Sequence, residues 1–464
     1  MQKVLKGILI LIFLGGSLAA QEVRGPGADM KWWKDAKFGM FVHWGLYSVT
    51  AGEWKGKPSK GNEHFMLYER IPVKEYAKIA DDFNPVKFNA DAWVKRAKDA
   101  GMKYVVFTSK HHDGYAMYDS KASDYNIGKT TKWHRDPIKE LAAACKKYGL
   151  RLGLYYSLGR DWEDPDVPTN WPEKAGRSNT WDFPNEDGKV FARYFERKVK
   201  PQIKELLSNY GPIGIIWFDT PELISKSESL ELEQFIRGLQ PNCIINSRIG
   251  NGLGDYLVSE QQISATKLSK PWEACITMSG KWSYNRYDKA WKSPELLIRQ
   301  LVEIVGKGGN FLLNVNPDGA GEFPEQSIQN LQSIGQWMKV NQEAIYGTQP
   351  WTVTNEVVSA ATDEKQKNAS GLVDTDNDNT AKTTSPDIYF TKKDRSIYVY
   401  ARSWTAPNLM VKSLKAGAES IKSIQLLGAK DRIAWKQESN HLYIEMPKKL
   451  PAGIPVYVFK VDVI

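Results

Sequence analysis

From Lys37 to about Asn341, short apolar runs alternate with stretches whose apolar positions recur every three or four residues. Phe38–His43, Tyr104–Thr108, Leu150–Tyr156, Ile213–Phe218, Cys243–Ser247, Tyr256–Ser259 and Phe311–Val315 read as strands, several buried on both faces. Helical periodicity fills the gaps, over Asn89–Gly101, Asp136–Gly149, Val190–Asn209, Leu230–Leu239, Pro294–Val305 and Gln326–Val340. Asp136-Pro137 is a cap followed by proline at the first helical position, and Gly101 is a stop signal. Repeated strand–helix units imply a parallel sheet with right-handed crossovers. Seven strands over roughly 300 residues approach the span of a (β/α)8 barrel with inserted loops. The alternative, a doubly wound open sheet, is weakened because no Gly-rich phosphate fingerprint follows the first strand.

The pattern changes near Tyr346–Pro350. Thr362–Thr384 is polar and reads as a long loop. Asp387–Thr391 and Ser396–Tyr400 alternate about a turn at Lys392–Arg395, and His441–Glu445 and Val456–Lys460 look like further strands. The expected fold class is therefore α/β, a (β/α)8-like barrel over residues 21–346 followed by a C-terminal β-sandwich over 347–464. Residues 1–20 have the form of a signal peptide: Lys3 and Lys6, an apolar run at Ile8–Leu14, then small residues to Ala20. That leader predicts export, to the periplasm or the medium. Its brevity favours a bacterial host, in which Asn368-Ala-Ser370 would not be glycosylated.

Composition narrows the function. The net charge of +9 comes from scattered Lys and Arg without a dense basic run, so no nucleic-acid partner is expected. Beyond the leader no stretch approaches a membrane span, and no membrane insertion is expected. Three cysteines, Cys145, Cys243 and Cys275, lack metal-ligand spacing and read as buried free thiols. The aromatic load is high, with 17 Trp and 21 Tyr, many between the periodic segments; such residues suit sugar faces and also protein interfaces.

Polar residues gather where the predicted strands end: His43-Trp44, Lys110-His111-His112-Asp113-Gly114, Tyr155-Tyr156-Ser157, Trp217-Phe218-Asp219, Asn246-Ser247-Arg248 and Ser259-Glu260. In a barrel those ends form the reactive mouth. Any one of them is equally well a cap or loop residue. Asp219 alone is good turn chemistry before Thr220-Pro221, but beside Arg248 it could stay ionised in a buried place. No Gly-x-Ser-x-Gly elbow marks a serine hydrolase. The adjacent His111 and His112 would point to opposite faces of a strand, and no His-Glu-x-x-His helix occurs, so neither metal nor cofactor is expected. Two carboxylates among aromatics fit glycoside hydrolysis.

Phe38–Gly45, Gly52-Glu53-Trp54, Thr108–Gly114, Gly153–Ser157, Trp217–Asp219 and Gly308–Asn314 together resemble the α-L-fucosidases of glycoside hydrolase family 29. The resemblance covers about Lys34 to Trp351 and implies a retaining barrel enzyme with Asp219 as nucleophile. It also implies fucose-binding roles for His43, Glu53, Trp54, His111, His112, Tyr155, Trp217, Arg248 and Trp282. The acid/base varies in position within that family. Glu260, directly after a strand, is preferred over Glu273, which lies in a longer connection. The implied partner is a fucosylated oligosaccharide or glycoconjugate. The alternatives are a fucose-binding protein without turnover and a glycosidase for a related sugar such as an α-L-galactoside.

Overall fold

The computed structural model describes residues 27–168, 178–357, 372–374, 387–402, 407–447 and 454–464. The leader, Asn368–Ser370, most of the polar stretch Thr362–Thr384 and part of the loop before Pro184 lie outside the described residues.

Eight parallel strands form the core: β1 Phe38–Val42, β2 Tyr104–Lys110, β3 Arg151–Ser157, β4 Ile215–Asp219, β5 Ile244–Ile245, β6 Leu257–Glu260, β7 Trp272–Thr277 and β8 Asn310–Val315. Their order across the sheet is β5-β4-β3-β2-β1-β8-β7-β6. The two outer strands meet through a parallel bridge between Asn246 and Tyr256. The Ser247 N–H donates to the Tyr256 carbonyl at 2.8 Å across this seam. The sheet thus curls into a barrel in chain order, as the alternation predicts. The eighth strand is β7, which the sequence reading placed in a connection.

Helices α1 Ala90–Asp99, α2 Pro137–Tyr148, α3 Lys200–Ser208, α4 Lys226–Leu239, α5 Pro294–Gly306 and α6 Glu325–Asn341 cover the outside. The helix expected from Val190 is broken into turns before α3, including one π turn at Phe195–Val199. No α-helix separates β5 from β6, or β6 from β7. The second of these gaps holds a strand, Gln262–Ser264, which pairs with Leu372–Asp374. This pairing departs from the loop expected at Thr362–Thr384.

Alternation along each strand divides two cores. Ile216 and Phe218 face the helices, in a cluster with residues of α1 to α6. Phe41, Val106, Tyr155, Ile215, Trp217, Cys275 and Leu312 face inward and fill the barrel. Two-residue periodicity continues the inward series into the mouth, from Phe41 to His43 and from Trp217 to Asp219.

The C-terminal part has a five-stranded antiparallel sheet and a three-stranded one around a shared apolar core. Its strands Ile388–Lys393 and Ser396–Ala401 match the expected hairpin. It buttresses the barrel: the Trp337 indole on α6 donates to the Val456 carbonyl at 2.9 Å.

Helix α4 holds the chain that leaves β4. Ser225 Oγ accepts from the Glu228 N–H at 3.2 Å, and the Glu228 carboxylate accepts from the Ser225 N–H at 2.8 Å. This reciprocal cap satisfies two otherwise orphaned donors. Ser225→Ala is expected to lower unfolding stability by about 1 kcal/mol, read as a lower urea midpoint with an unchanged denaturant slope.

Candidate active site

A cavity of about 380 Å³ opens at the C-terminal end of the barrel strands. The structure brings Asp219, Glu260, His43, His111, His112, Tyr155, Trp217, Arg248 and Trp282 to its wall. It does not bring Glu53, Trp54 or Glu273 there. Glu53 and Trp54 sit on a two-residue strand, where Glu53 accepts from the Tyr287 hydroxyl at 2.7 Å and Trp54 packs on Phe65. Glu63 and His64 line the cavity instead. Sequence reasoning missed both, because they lie in a single 3-10 turn, Asn62–His64, with no periodicity to flag it. The available signal was Gly61-Asn62, a turn dipeptide, directly before Glu63 and His64.

Asp219 ends β4 inside the mouth. One of its oxygens accepts from Arg248 Nη1 at 2.6 Å and from the Thr220 N–H at 2.9 Å, and the other accepts from the Tyr155 hydroxyl at 2.8 Å. Burial alone would push its carboxyl up. The Arg248 charge, the Tyr155 bond and the Arg160 charge outweigh burial and hold it below the ordinary value. Thr220, a β-branched residue, sits at φ 55°, a strained conformation next to the carboxylate. β5 is too short to complete its ladder with β4. The Asn246 side chain substitutes, accepting from the Phe218 N–H and donating to the Phe218 carbonyl, both at 2.9 Å.

Arg248 also donates from Nη2 to Glu260 at 2.5 Å, so one guanidinium joins two carboxylates. The Glu260 side chain is 42% exposed, at the solvent edge of the mouth. Strand register separates it from Glu273. Glu260 pairs with Cys275, whereas Glu273 lies two residues earlier on β7, paired with Val258. That is ~6.6 Å deeper along the barrel. Glu273 is wholly buried and accepts from the Tyr104 hydroxyl at 2.6 Å and the Trp217 indole at 2.9 Å. Burial raises its carboxyl to about 7 despite those bonds.

The histidines are held as neutral acceptors. Asn314 donates its amide to the Trp282 carbonyl at 2.7 Å, which leaves its oxygen to accept from His43 Nδ1 at 2.7 Å. His43 Nε2 therefore carries the lone pair. Burial lowers the ring to about 4. Ser157 Oγ donates to the Arg160 carbonyl at 2.8 Å and so accepts from His112 Nδ1 at 2.6 Å. His112 Nε2 then lies 3.6 Å from Asp219, too far for a direct hydrogen bond. His111 and His112 do not point apart as a strand would require. β2 ends at Lys110, the chain turns, and their ring centroids stand 4.1 Å apart.

The rest of that motif builds the turn. Lys110 is buried against Asp161 at 2.8 Å, and the Asp113 carboxylate accepts from the Tyr115 N–H at 3.1 Å. Gly114 has φ 79°, and a Cβ there would fall 2.1 Å from Asp161. Phe41, Trp217 and Trp282 form the apolar wall, with the Arg248 guanidinium 5.2 Å from the Trp217 ring centroid. Nitrogens of His64, His111 and His112 lie within 4.8 Å of one another, a spacing from which three imidazoles could reach one transition-metal ion.

A sugar-sized pocket in which one guanidinium holds two of the lining carboxylates, beside neutral imidazoles and an aromatic wall, suits glycoside cleavage. The chain matches the family profile described as alpha-L-fucosidase over residues 24–343, and that of the alpha-L-fucosidase C-terminal domain over 380–462. The chain belongs to the α-L-fucosidase family. It is 31% identical over 458 residues to the plasma alpha-L-fucosidase of Homo sapiens, covering 90% of this chain and 85% of that one. Alpha-L-fucosidase isoenzyme 1 from Paenibacillus thiaminolyticus superposes with a TM-score of 0.79 at 32% identity, covering 94% and 98% of the two chains. Alpha-L-fucosidase AlfC from Lactobacillus casei, solved with an alpha-L-fucose product, gives 0.64 at 42% identity over 67% of this chain and 98% of that one. This fucosidase is thus a glycoside hydrolase whose barrel and C-terminal module both have counterparts in the family.

Glu273 gives the fucosidase a pH signature. Its folded value, about 7, exceeds the usual 4.5, so the folded state binds this proton more tightly than the unfolded chain. Its contribution is fully present below about pH 4.5 and is lost as pH rises through 7. Glu273→Gln should remove on the order of 3 kcal/mol of the stability difference between pH 5 and pH 8, measured by denaturant titration at each pH.

Proposed function

We propose that this fucosidase is exported and cleaves terminal α-L-fucosyl linkages of oligosaccharides or glycoconjugates by double displacement, with retention at the anomeric carbon. The observation that carries the reading is the single guanidinium of Arg248 bonded to both Asp219 and Glu260 at the mouth. Export rests on the form of residues 1–20.

Asp219, kept ionised by its neighbours, attacks the anomeric carbon as the bond to the leaving oxygen breaks. Glu260, at the solvent edge, gives that oxygen a proton. The glycosyl ester on Asp219 is then opened by water, whose proton returns to Glu260. Arg248 steadies Glu260 each time it becomes a carboxylate, and its ion pair with Asp219 ends as the ester neutralises that carboxylate. The lone pairs of His43 and His112 and the carboxylate of Glu63 accept hydrogen bonds from ring hydroxyls. Phe41, Trp217 and Trp282 meet the apolar edge with the 6-methyl group.

Two substitutions separate these roles. Asp219→Asn should lower kcat on a chromogenic aryl α-L-fucoside by ~10³-fold or more; unchanged turnover would return Asp219 to a turn residue. Glu260→Ala should depend on the leaving group. Loss on a fucosyl oligosaccharide should reach ~10²–10⁴-fold, with far less on a dinitrophenyl fucoside that departs without a proton. Equal loss on both would exclude Glu260 as the acid.

A further inference from the structure

A second, larger cavity of about 810 Å³ lies at the other end of the barrel. Its wall includes Lys37 just before β1, Pro271 just before β7 and Lys307-Gly308 just before β8. All three positions are at the N-terminal ends of strands, opposite the mouth that holds Asp219. The C-terminal module closes the far side through Gly347–Pro350 and the hairpin turn at Lys392–Asp394.

The composition of this wall is lopsided. Among the described lining residues, eight lysines face two aspartates, and none is an arginine. Some of the charge is answered locally. Lys31 pairs with Asp35 at 2.5 Å, Lys307 with Glu303 at 2.6 Å, and Lys393 donates to the Tyr346 carbonyl at 3.1 Å. Lys34, Lys37, Lys267, Lys270 and Lys392 have no carboxylate within salt-bridge distance among the described residues. Lys37 is the informative one. It is 4% exposed, lines the cavity, and its ammonium has no hydrogen-bond partner among the described residues. Burial, opposed by Asp35 and reinforced by Lys34, lowers its ammonium to about 8. The side chain of Lys37 is largely buried beside Lys34, and the nearby Asp35 is already paired with Lys31; an anion in the cavity would relieve the cost of that charge.

We propose that this cavity binds a small, multiply charged oxyanion ligand of the phosphate- or sulfate-ester class. Lysines are compact point charges with three freely turning donors, which suit tetrahedral oxyanions; a planar carboxylate is better matched by an arginine fork, and none is among the described lining residues. The volume lies within the ordinary range for small-molecule sites. The site is remote from Asp219 and Glu260, so its ligand acts on stability or on placement of the enzyme without entering the fucosyl-transfer step.

Isothermal titration of the full chain with inorganic pyrophosphate, and separately with a trisulfated disaccharide, tests the site at fixed ionic strength. At least one probe should bind with one-to-one stoichiometry, and the tighter one identifies the ester class. Lys37→Met keeps the stem and removes the charge. Lys267→Gln/Lys270→Gln, on the loop before β7, is a second route should the first fail to fold. Each should weaken binding by ~10-fold or more while aryl fucoside hydrolysis is unchanged. Heats equal to those of sodium chloride at the same ionic strength would overturn the proposal. So would undiminished binding to the folded variants.

Discussion

An ionised carboxylate at the closed end of an aromatic-lined pocket is the constraint on which the rest of the active site is organised. Asp219 would protonate if buried alone. The Arg248 guanidinium prevents this, and its position depends on the seam of the barrel. β5 is only two residues long, Asn246 completes its pairing to β4 with a side-chain amide, and the chain then enters the turn Ser247–Ile249 that carries Arg248. Extending β5 by one regular turn of ladder would carry Arg248 past the carboxylate. The irregularity of the seam is therefore tied to the charge it serves.

The same burial that endangers Asp219 is used to advantage on the histidines. Removed from water, His43, His111 and His112 all have lowered basicity and stay neutral. Each then offers a lone pair, where an imidazolium would offer only donors and, at His111 and His112, would repel Arg160 and Lys110. Second partners fix which nitrogen is left free: Asn314 for His43 and Ser157 for His112.

Much of this was legible in the sequence because barrel strands obey a strict two-residue period. His43 and Asp219 stood out as polar residues at the ends of apolar runs, and the period explains why such residues point into the mouth. The period failed at β7. Glu273 interrupts the apolar run Trp272–Thr277, and a charge on an inward position reads as a loop. In the fold that position is tolerable because Tyr104 and Trp217 donate to the carboxyl. Register, which a lone sequence does not display, is what places Glu273 below the pocket and Glu260 at its edge. Glu63 and His64 were invisible for another reason. A single 3-10 turn has no periodicity to mark it, and Glu53 and Trp54, which the resemblance implied, are not among the residues lining the cavity.

The central claim is that Asp219 attacks carbon and carries the sugar. A 2-deoxy-2-fluoro-α-L-fucosyl fluoride slows opening of the ester more than its formation, so the adduct accumulates. Intact mass spectrometry should then show one fluorofucosyl unit per chain, and peptide mapping should place it on the carboxylate of Asp219. A label on Glu260 or Glu273, or turnover of ordinary substrate with an inverted first product and no adduct, would contradict the account.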